Sequence, residues 1–342
     1  MMASCNLNRT TTQCSIGTIN EAIATPIMQF LGGFVGNVLA LFILIKTKKN
    51  HKWKPFYRLV CALAITDATV SSLVYPFSIT RYATNFTYCY SVTVCYHVAF
   101  ILSFAFLGSA LIVTAISFDR FLAILFPFKY DSSRKIQRTT VMIFSSWILT
   151  AVICTLPLVG VGEVKFYYPE TWCFIDFTSK ESSNELITYI YALLGLVLFV
   201  LTFVFNLSVI IALIRRIRQS KKRLGNQKHL KSDVYNVVFL FGIVLVFSAC
   251  WVPITTRMIY NINSECPSDG PTELLVARLA ITNSIVDPWV YIVLRKENFE
   301  RLEQLIARCR NTPGTDNETV TLPTVASTQS LDKISAKLSE VP

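Results

Sequence analysis

Apolar residues in this chain neither alternate nor recur on one helical face; they come in long blocks without a charge. Residues 22–45, 139–162, 186–214 and 234–256 contain no Asp, Glu, Lys or Arg. The stretch 82–118 is also charge-free and is long enough to hold an outer loop as well as a helix. Two further blocks are interrupted by isolated charges: 59–80 by Asp67, and 274–294 by Arg278 and Asp287. A helix crossing the hydrocarbon core needs about 20 mostly apolar residues, and a helix satisfies its own backbone where water is absent. Seven blocks meet that length. A soluble helical core would need polar faces that these blocks lack. The pattern predicts an all-α membrane protein, a bundle of seven transmembrane helices.

Composition agrees. Of 342 residues, 53% are hydrophobic and 15% charged, with mean hydropathy +0.49; a soluble protein averages about 25% charged. The Lys and Arg residues cluster in alternate connections: "KTKKNHKWK" after span one, "KYDSSRKIQR" after span three and "RRIRQSKKRLGNQKHLK" after span five. The remaining connections are acidic or carry no Lys or Arg, as in "EVKFYYPETWCFIDFTSKESSNE" and "NINSECPSDGPTE". Basic loops stay cytoplasmic, so the N-terminus is expected outside and the C-terminus inside. The net charge of +11 then lies in patches beside the membrane. Those patches suit anionic lipid, and nucleic acid is not an expected partner. Span one is expected to act as its own signal-anchor.

Four segments follow: an extracellular tail (1–21), a seven-span domain (22–295), a short helix (296–309) and a cytoplasmic tail (310–342). "ENFERLEQLIARCR" puts Phe299, Leu302, Leu305 and Ile306 on one face, which reads as an eighth helix lying in the interface. Cys309 at its end is a palmitoylation candidate, with an unmodified thiol as the alternative. The Ser/Thr-rich tail has no aromatic residue and is expected to be disordered. Asn8 and Asn85 open glycosylation triplets on the outer side, whereas the triplet at Asn317 lies inside and should stay bare. Of ten cysteines, Cys61, Cys154 and Cys250 fall in spans; Cys5, Cys14, Cys89, Cys95, Cys173 and Cys266 fall on the oxidising side. Their pairing cannot be read from spacing.

Several motifs stand in a known order. Asn37 in "GNVLA", Asp67 in "LAITDA", Asp119-Arg120 closing span three, Trp147 in span four and "DPWVY" ending span seven are arranged as in rhodopsin-like G-protein-coupled receptors. The chain resembles that family over about residues 22–309. The resemblance implies a Cys95–Cys173 disulfide to the second outer loop and no cofactor. It also implies a plasma-membrane location and a heterotrimeric G protein as partner, with receptor kinases and arrestin acting on the tail. Leu102 stands where amine receptors carry an Asp, and span seven has no lysine of the kind that holds retinal in opsins.

"YPETWCFID", Arg278 and "DPWVYIVLRK" together resemble the prostanoid receptors, with the loop most similar to prostaglandin E2 receptors of subtype 4. That likeness implies a prostaglandin ligand, prostaglandin E2 foremost, and signalling through the stimulatory G protein to cyclic AMP. Ser78, Tyr82, Thr171 and Arg278 occupy that family's ligand-binding positions. Three features depart from it: Trp251 in "CWVP" replaces a smaller polar residue, Ile281 replaces a serine, and the third inner connection is short.

The residues bear two readings each. Arg278 within a span is costly and usually faces a cavity or partner. Its planar fork suits a carboxylate, with Phe77, Tyr82, Trp172, Phe174 and Trp251 as apolar lining; alternatively it snorkels to the headgroups. The resemblance implies that Asp67 and Asp287 flank a hydrated or sodium-holding pocket; the alternative is a hydrogen-bonded structural pair with Asn37. By the same resemblance Asp119, Arg120, Asp233, Asp287 and Tyr291 form the switch that meets the G protein, though Asp233 can equally cap helix six. No metal spacing, nucleophile–base pair or phosphate loop is present, so no enzyme is expected. A receptor for another lipid or a short peptide remains a rival within the fold. A transporter is a rival outside it, but the repeat symmetry expected of one is not visible.

Overall fold

The computed structural model describes residues 22–46, 54–130, 134–222, 227–264 and 269–293. The tails, the eighth helix, and Cys5, Asn8, Cys14, Cys266 and Cys309 lie outside these residues.

Seven long helices form in the charge-free blocks: α1 (Ala24–Lys46), α2 (Pro55–Ala83), α3 (Val92–Leu125), α4 (Lys135–Cys154), α5 (Ser182–Lys222), α6 (Gln227–Asn263) and α7 (Gly270–Val293). Their ends follow local chemistry. Pro55 opens α2, where a missing N–H costs nothing. Ser91 caps α3 by accepting from the Val94 amide at 3.4 Å. Among the described residues, α1 to α6 are long and apolar enough to cross a membrane. The seventh is not among them: its 24 residues include Glu273, Arg278 and Asp287 beside Thr282, Asn283 and Ser284. It nonetheless packs against α1, α2 and α6 and closes the bundle.

The third inner connection differs from its sequence reading. Residues 215–222 and 227–233 continue α5 and α6 as helix, so basic residues expected in a loop ride on helical extensions. At about 1.5 Å per residue, a helix of the length of α5 is roughly twice the hydrocarbon thickness.

α3 runs through the centre and is buried along most of its length, whereas α1, α4 and α5 turn broad apolar faces outward. Such faces suit lipid, where water would penalise them. Polar side chains tie the helices together. The Trp147 indole donates to Thr66 Oγ1 at 3.1 Å, linking α4 to α2. Asn206 donates to Ser117 Oγ at 2.8 Å, linking α5 to α3. At Gly33 the α1 backbone comes so close to Ser71 that a Cβ would sit 2.5 Å from its Oγ.

One element beyond the helices was not expected. The second outer connection folds into an antiparallel hairpin, β1 (Val164–Tyr167) and β2 (Trp172–Ile175), with Tyr167 opposite Trp172. Every residue of β2 is buried, so the hairpin lies across one end of the bundle as a lid. Following the charge rule, that end is outer. The Tyr167 ring stacks on Trp172 at 4.5 Å and on Phe177 at 4.7 Å, and its hydroxyl donates to the Ile175 carbonyl at 2.9 Å. Burial, reinforced by nearby Asp176, pushes the Tyr167 hydroxyl well above its ordinary pKa, so it stays a donor.

Candidate functional site

A disulfide joins Cys95, in the first turn of α3, to Cys173 in β2, with Cα atoms 5.4 Å apart. It pins the lid to the central helix. Cys89 is disulfide-bonded too, while Cys61, Cys154 and Cys250 are free thiols within the bundle.

Under the lid, between α1, α2 and α7, lies a cleft. Five of the expected ligand residues line it: Ser78, Tyr82, Thr171, Trp172 and Arg278. Tyr75, Leu102, Ala277 and Ile281 complete much of its wall. The periodicity of α2 brings Ser78 and Tyr82 to this face, one turn apart. The Ser78 hydroxyl donates to the Thr171 carbonyl at 2.6 Å, fixing the edge of the lid to α2. The Trp172 indole donates to the Tyr168 carbonyl at 3.0 Å. Arg278 reaches inward across the cleft, its Nη2 3.4 Å from the Tyr82 hydroxyl. Among the described lining residues Arg278 carries the one formal charge. A single cation among apolar and neutral polar groups suits a ligand with one anionic group on an apolar body.

Phe77 and Trp251 lie elsewhere. Phe77 packs edge-on against Tyr90 at 5.0 Å, in a smaller space on the far side of Thr171 and Trp172. Trp251 packs on Phe106 and Phe247 and, with Phe174, lines a separate apolar space between α3, α5 and α6. Trp172 and Phe174, two residues apart on β2, line the two spaces at different points along the strand.

Ser284 links Asp67 and Asn37, two residues of the expected polar core. Asp67 Oδ1 accepts from Ser109 Oγ at 2.6 Å and from Ser284 Oγ at 2.9 Å. Asn37 donates to the Ser284 carbonyl at 2.9 Å and to the Gly33 carbonyl at 2.7 Å, so it meets Asp67 through Ser284 and not directly. Asp287 accepts from Asn283 at 2.9 Å. Asp67 Oδ2, Asn37 Oδ1 and Asn283 Oδ1 are buried without a hydrogen-bond partner.

At the inner end, Arg120 pairs with the preceding Asp119 at 2.8 Å and stacks over the Phe56 ring at 4.6 Å. Asp119 is fully buried and also accepts from the Tyr130 hydroxyl at 3.1 Å. Tyr130 ends a single helical turn, Pro127–Tyr130, on which Phe128 is 98% exposed. The Tyr130 hydroxyl is pushed up to about 12, first by burial and then by the Asp119 carboxylate. Asp233 and Tyr291 lie on α6 and α7, but their side chains are outside what the structure describes.

Three residues escaped the sequence reading. Phe128 is one. Tyr75 is buried in the cleft wall. Arg81, 2% exposed in the last turn of α2, donates to the Glu170 carboxylate at 3.0 Å, the Glu170 carbonyl at 3.2 Å and the Phe86 carbonyl at 3.0 Å. It thereby clamps both outer loops. The signal available for it was its position just past the charge-free end of span two. Asn85 is exposed in the turn beyond, with φ 48°.

Similarity to known proteins is consistent with this geometry. The chain is 29% identical to the human prostaglandin E2 receptor EP4 subtype, across 81% of this chain and 65% of that receptor. It is 31% identical to the human prostaglandin E2 receptor EP3 subtype, across 80% of this chain and 77% of that one. Among solved structures, squid rhodopsin superposes with a TM-score of 0.69 at 18% identity, covering 90% of this chain and 88% of the other, which speaks for the fold. The family described as 7 transmembrane receptor (rhodopsin family) matches residues 36–291. The chain belongs to that family of multi-pass membrane receptors.

Proposed function

We propose that the protein is a plasma-membrane receptor for a prostaglandin, prostaglandin E2 foremost, and that it activates the stimulatory G protein to raise cyclic AMP. The observation that carries the reading is Arg278, the one charged side chain among the described residues lining a cleft otherwise built of apolar and neutral polar groups. A prostaglandin presents one carboxylate on a lipid-like skeleton, which matches that lining in charge and polarity. Curated relatives named as prostaglandin E2 receptors support the ligand class.

Binding shifts a two-state helix bundle toward the form whose inner face accepts the G protein. Arg120, released from Asp119, and the exposed Phe128 would contribute to that face. Asp233, Asp287 and Tyr291 complete the proposed switch, and kinases and arrestin act on the Ser/Thr-rich tail. Asp67 and Asp287 flank a hydrated or sodium-holding pocket in this reading, and the unpartnered Asp67 Oδ2 would be an oxygen ligand for it. Asn8 and Asn85 carry glycans and Cys309 a palmitoyl group.

The test is a prostanoid panel on cells with confirmed surface expression, read as cyclic AMP and calcium. A rise in cyclic AMP with prostaglandin E2 supports the proposal. A fall, or calcium alone, overturns the stimulatory coupling and leaves the ligand. Silence to every prostanoid, with a response to another lipid or a peptide, overturns the ligand.

A further inference from the structure

Donors and acceptors around the cleft are mostly spoken for. Ser78 gives its proton to Thr171, Trp172 gives its proton to Tyr168, and the Tyr82 hydroxyl takes Arg278. Among the described lining residues, Tyr75 has the side-chain oxygen that is both buried and without a hydrogen-bond partner. It is 5% exposed, it lines the same cleft, and its hydroxyl is buried with no hydrogen-bond partner. Its ring is fixed by an edge contact with Phe30 of α1, with centroids 6.2 Å apart. A buried hydroxyl left unpaired is costly, and native folds rarely tolerate one without a use for it.

Placement shows what that use is. Tyr75, Ser78 and Tyr82 follow one another on one face of α2. α2 runs outward, so Tyr75 lies about 10 Å deeper than Tyr82 at 1.5 Å per residue. On the opposite wall α7 runs inward, and the residue one turn below Arg278 is Ile281, which is apolar. Leu102 of α3 is apolar as well. The deep part of the cleft is thus greasy except for one phenol, held well below the cation.

We propose that Tyr75 is a ligand-binding and specificity-determining residue: its hydroxyl donates to a ring oxygen of the ligand, deeper in the cleft than the carboxylate that Arg278 holds. The inference rests on the prostaglandin reading and deepens it. Prostaglandin E2 has the required layout, since an alkyl chain separates its carboxylate from a ring bearing a ketone and a hydroxyl. A plain fatty acid carries the anion but nothing for Tyr75, so the phenol discriminates between the two.

Tyr75→Phe removes one oxygen and keeps the ring. Ligand-free receptor carrying Tyr75→Phe should melt at the same temperature as native receptor or higher, because no protein hydrogen bond is lost. Its affinity for prostaglandin E2 should fall about three- to tenfold. Two analogues locate the contact, one with the ring ketone replaced by methylene and one lacking the ring hydroxyl. The loss should vanish for one of them and persist for the other. A lower melting temperature without ligand would show that the hydroxyl serves the fold, and would overturn the proposal. So would unchanged affinity, or an equal loss for both analogues. If prostaglandin E2 does not bind native receptor, the receptor assignment fails by that result, while the ligand-free melting comparison still judges Tyr75.

Discussion

Arg278 on α7 and Tyr82 on α2 meet across the cleft at 3.4 Å, so the cation faces inward and does not turn to the headgroups. If the guanidinium also takes a ligand carboxylate, Arg278→Ala strands that carboxylate. The expected cost is about 2–5 kcal/mol, or roughly 30-fold to several thousand-fold in affinity. Arg278→Lys keeps the charge without the fork and should recover part of the loss. The methyl ester of the ligand is the control. It should bind native receptor poorly and lose little on Arg278→Ala. Equal losses for acid and ester would mean that Arg278 supports the fold.

Cys173→Ser frees the lid from α3, and with it Thr171 and Trp172. Surface expression or ligand binding should drop sharply, and Cys95→Ser should match it. Because the two cysteines share one bond, the double variant should be no worse than either single. Additive losses in a binding assay would contradict that pairing.

Arg81→Ala removes the group that holds Glu170 in one loop and Phe86 in the other. Phe86 and Glu170 have φ values of 62° and 66°, a region non-glycine residues adopt at a cost, so both loops depend on being held. A loss of about 2–3 kcal/mol is expected. It should be visible as a lower melting temperature of ligand-free receptor. Glu170→Gln should be milder, since that carboxylate is one-third exposed and the arginine keeps its carbonyl acceptors. Equal stability of Arg81→Ala and native receptor would contradict the clamp.

At the inner end, Arg120→Ala should abolish G-protein activation with agonist binding largely kept. Phe128→Ala should weaken activation at unchanged surface level, because it removes an exposed apolar side chain and no packing. Asp233→Ala should raise ligand-free signalling if Asp233 restrains Arg120. Nucleotide exchange on purified G protein reads all three.

The helices were legible because a lipid-spanning helix tolerates very few charges over its length, and that constraint is written residue by residue. Arg278, Ser78, Tyr82 and Thr171 were legible for a different reason, their match to a family's positions. The hairpin was not, since strands of four residues carry too little periodicity and arise from pairing over a buried lid. Arg81 was missed because its burial comes from two loops folding back over α2, a tertiary event. Tyr75 was missed because an aromatic in a span ordinarily reads as packing, and only an unpaired hydroxyl sets it apart. Trp251 and Phe77 were grouped with Arg278 by sequence, whereas the structure places each against another space.

The continuous helix of α6 has a mechanical corollary. Pro253 lies within it, close to Trp251 and the upper cavity, and a proline there leaves a carbonyl without its helical donor. From Pro253 to Gln227 the rod runs about 39 Å at 1.5 Å per residue. Pivoting by about 10° at the proline would swing the inner tip by roughly 7 Å over that arm. Near the fulcrum the same pivot displaces side chains by less than one ångström or so. A repacking too slight to disturb the ligand end would therefore be geared up into a gap that a partner helix can enter, provided the rod is stiff from Gln227 onward. Shortening or softening that arm, for instance by glycines between Pro253 and Gln227, would disconnect the two ends without touching either.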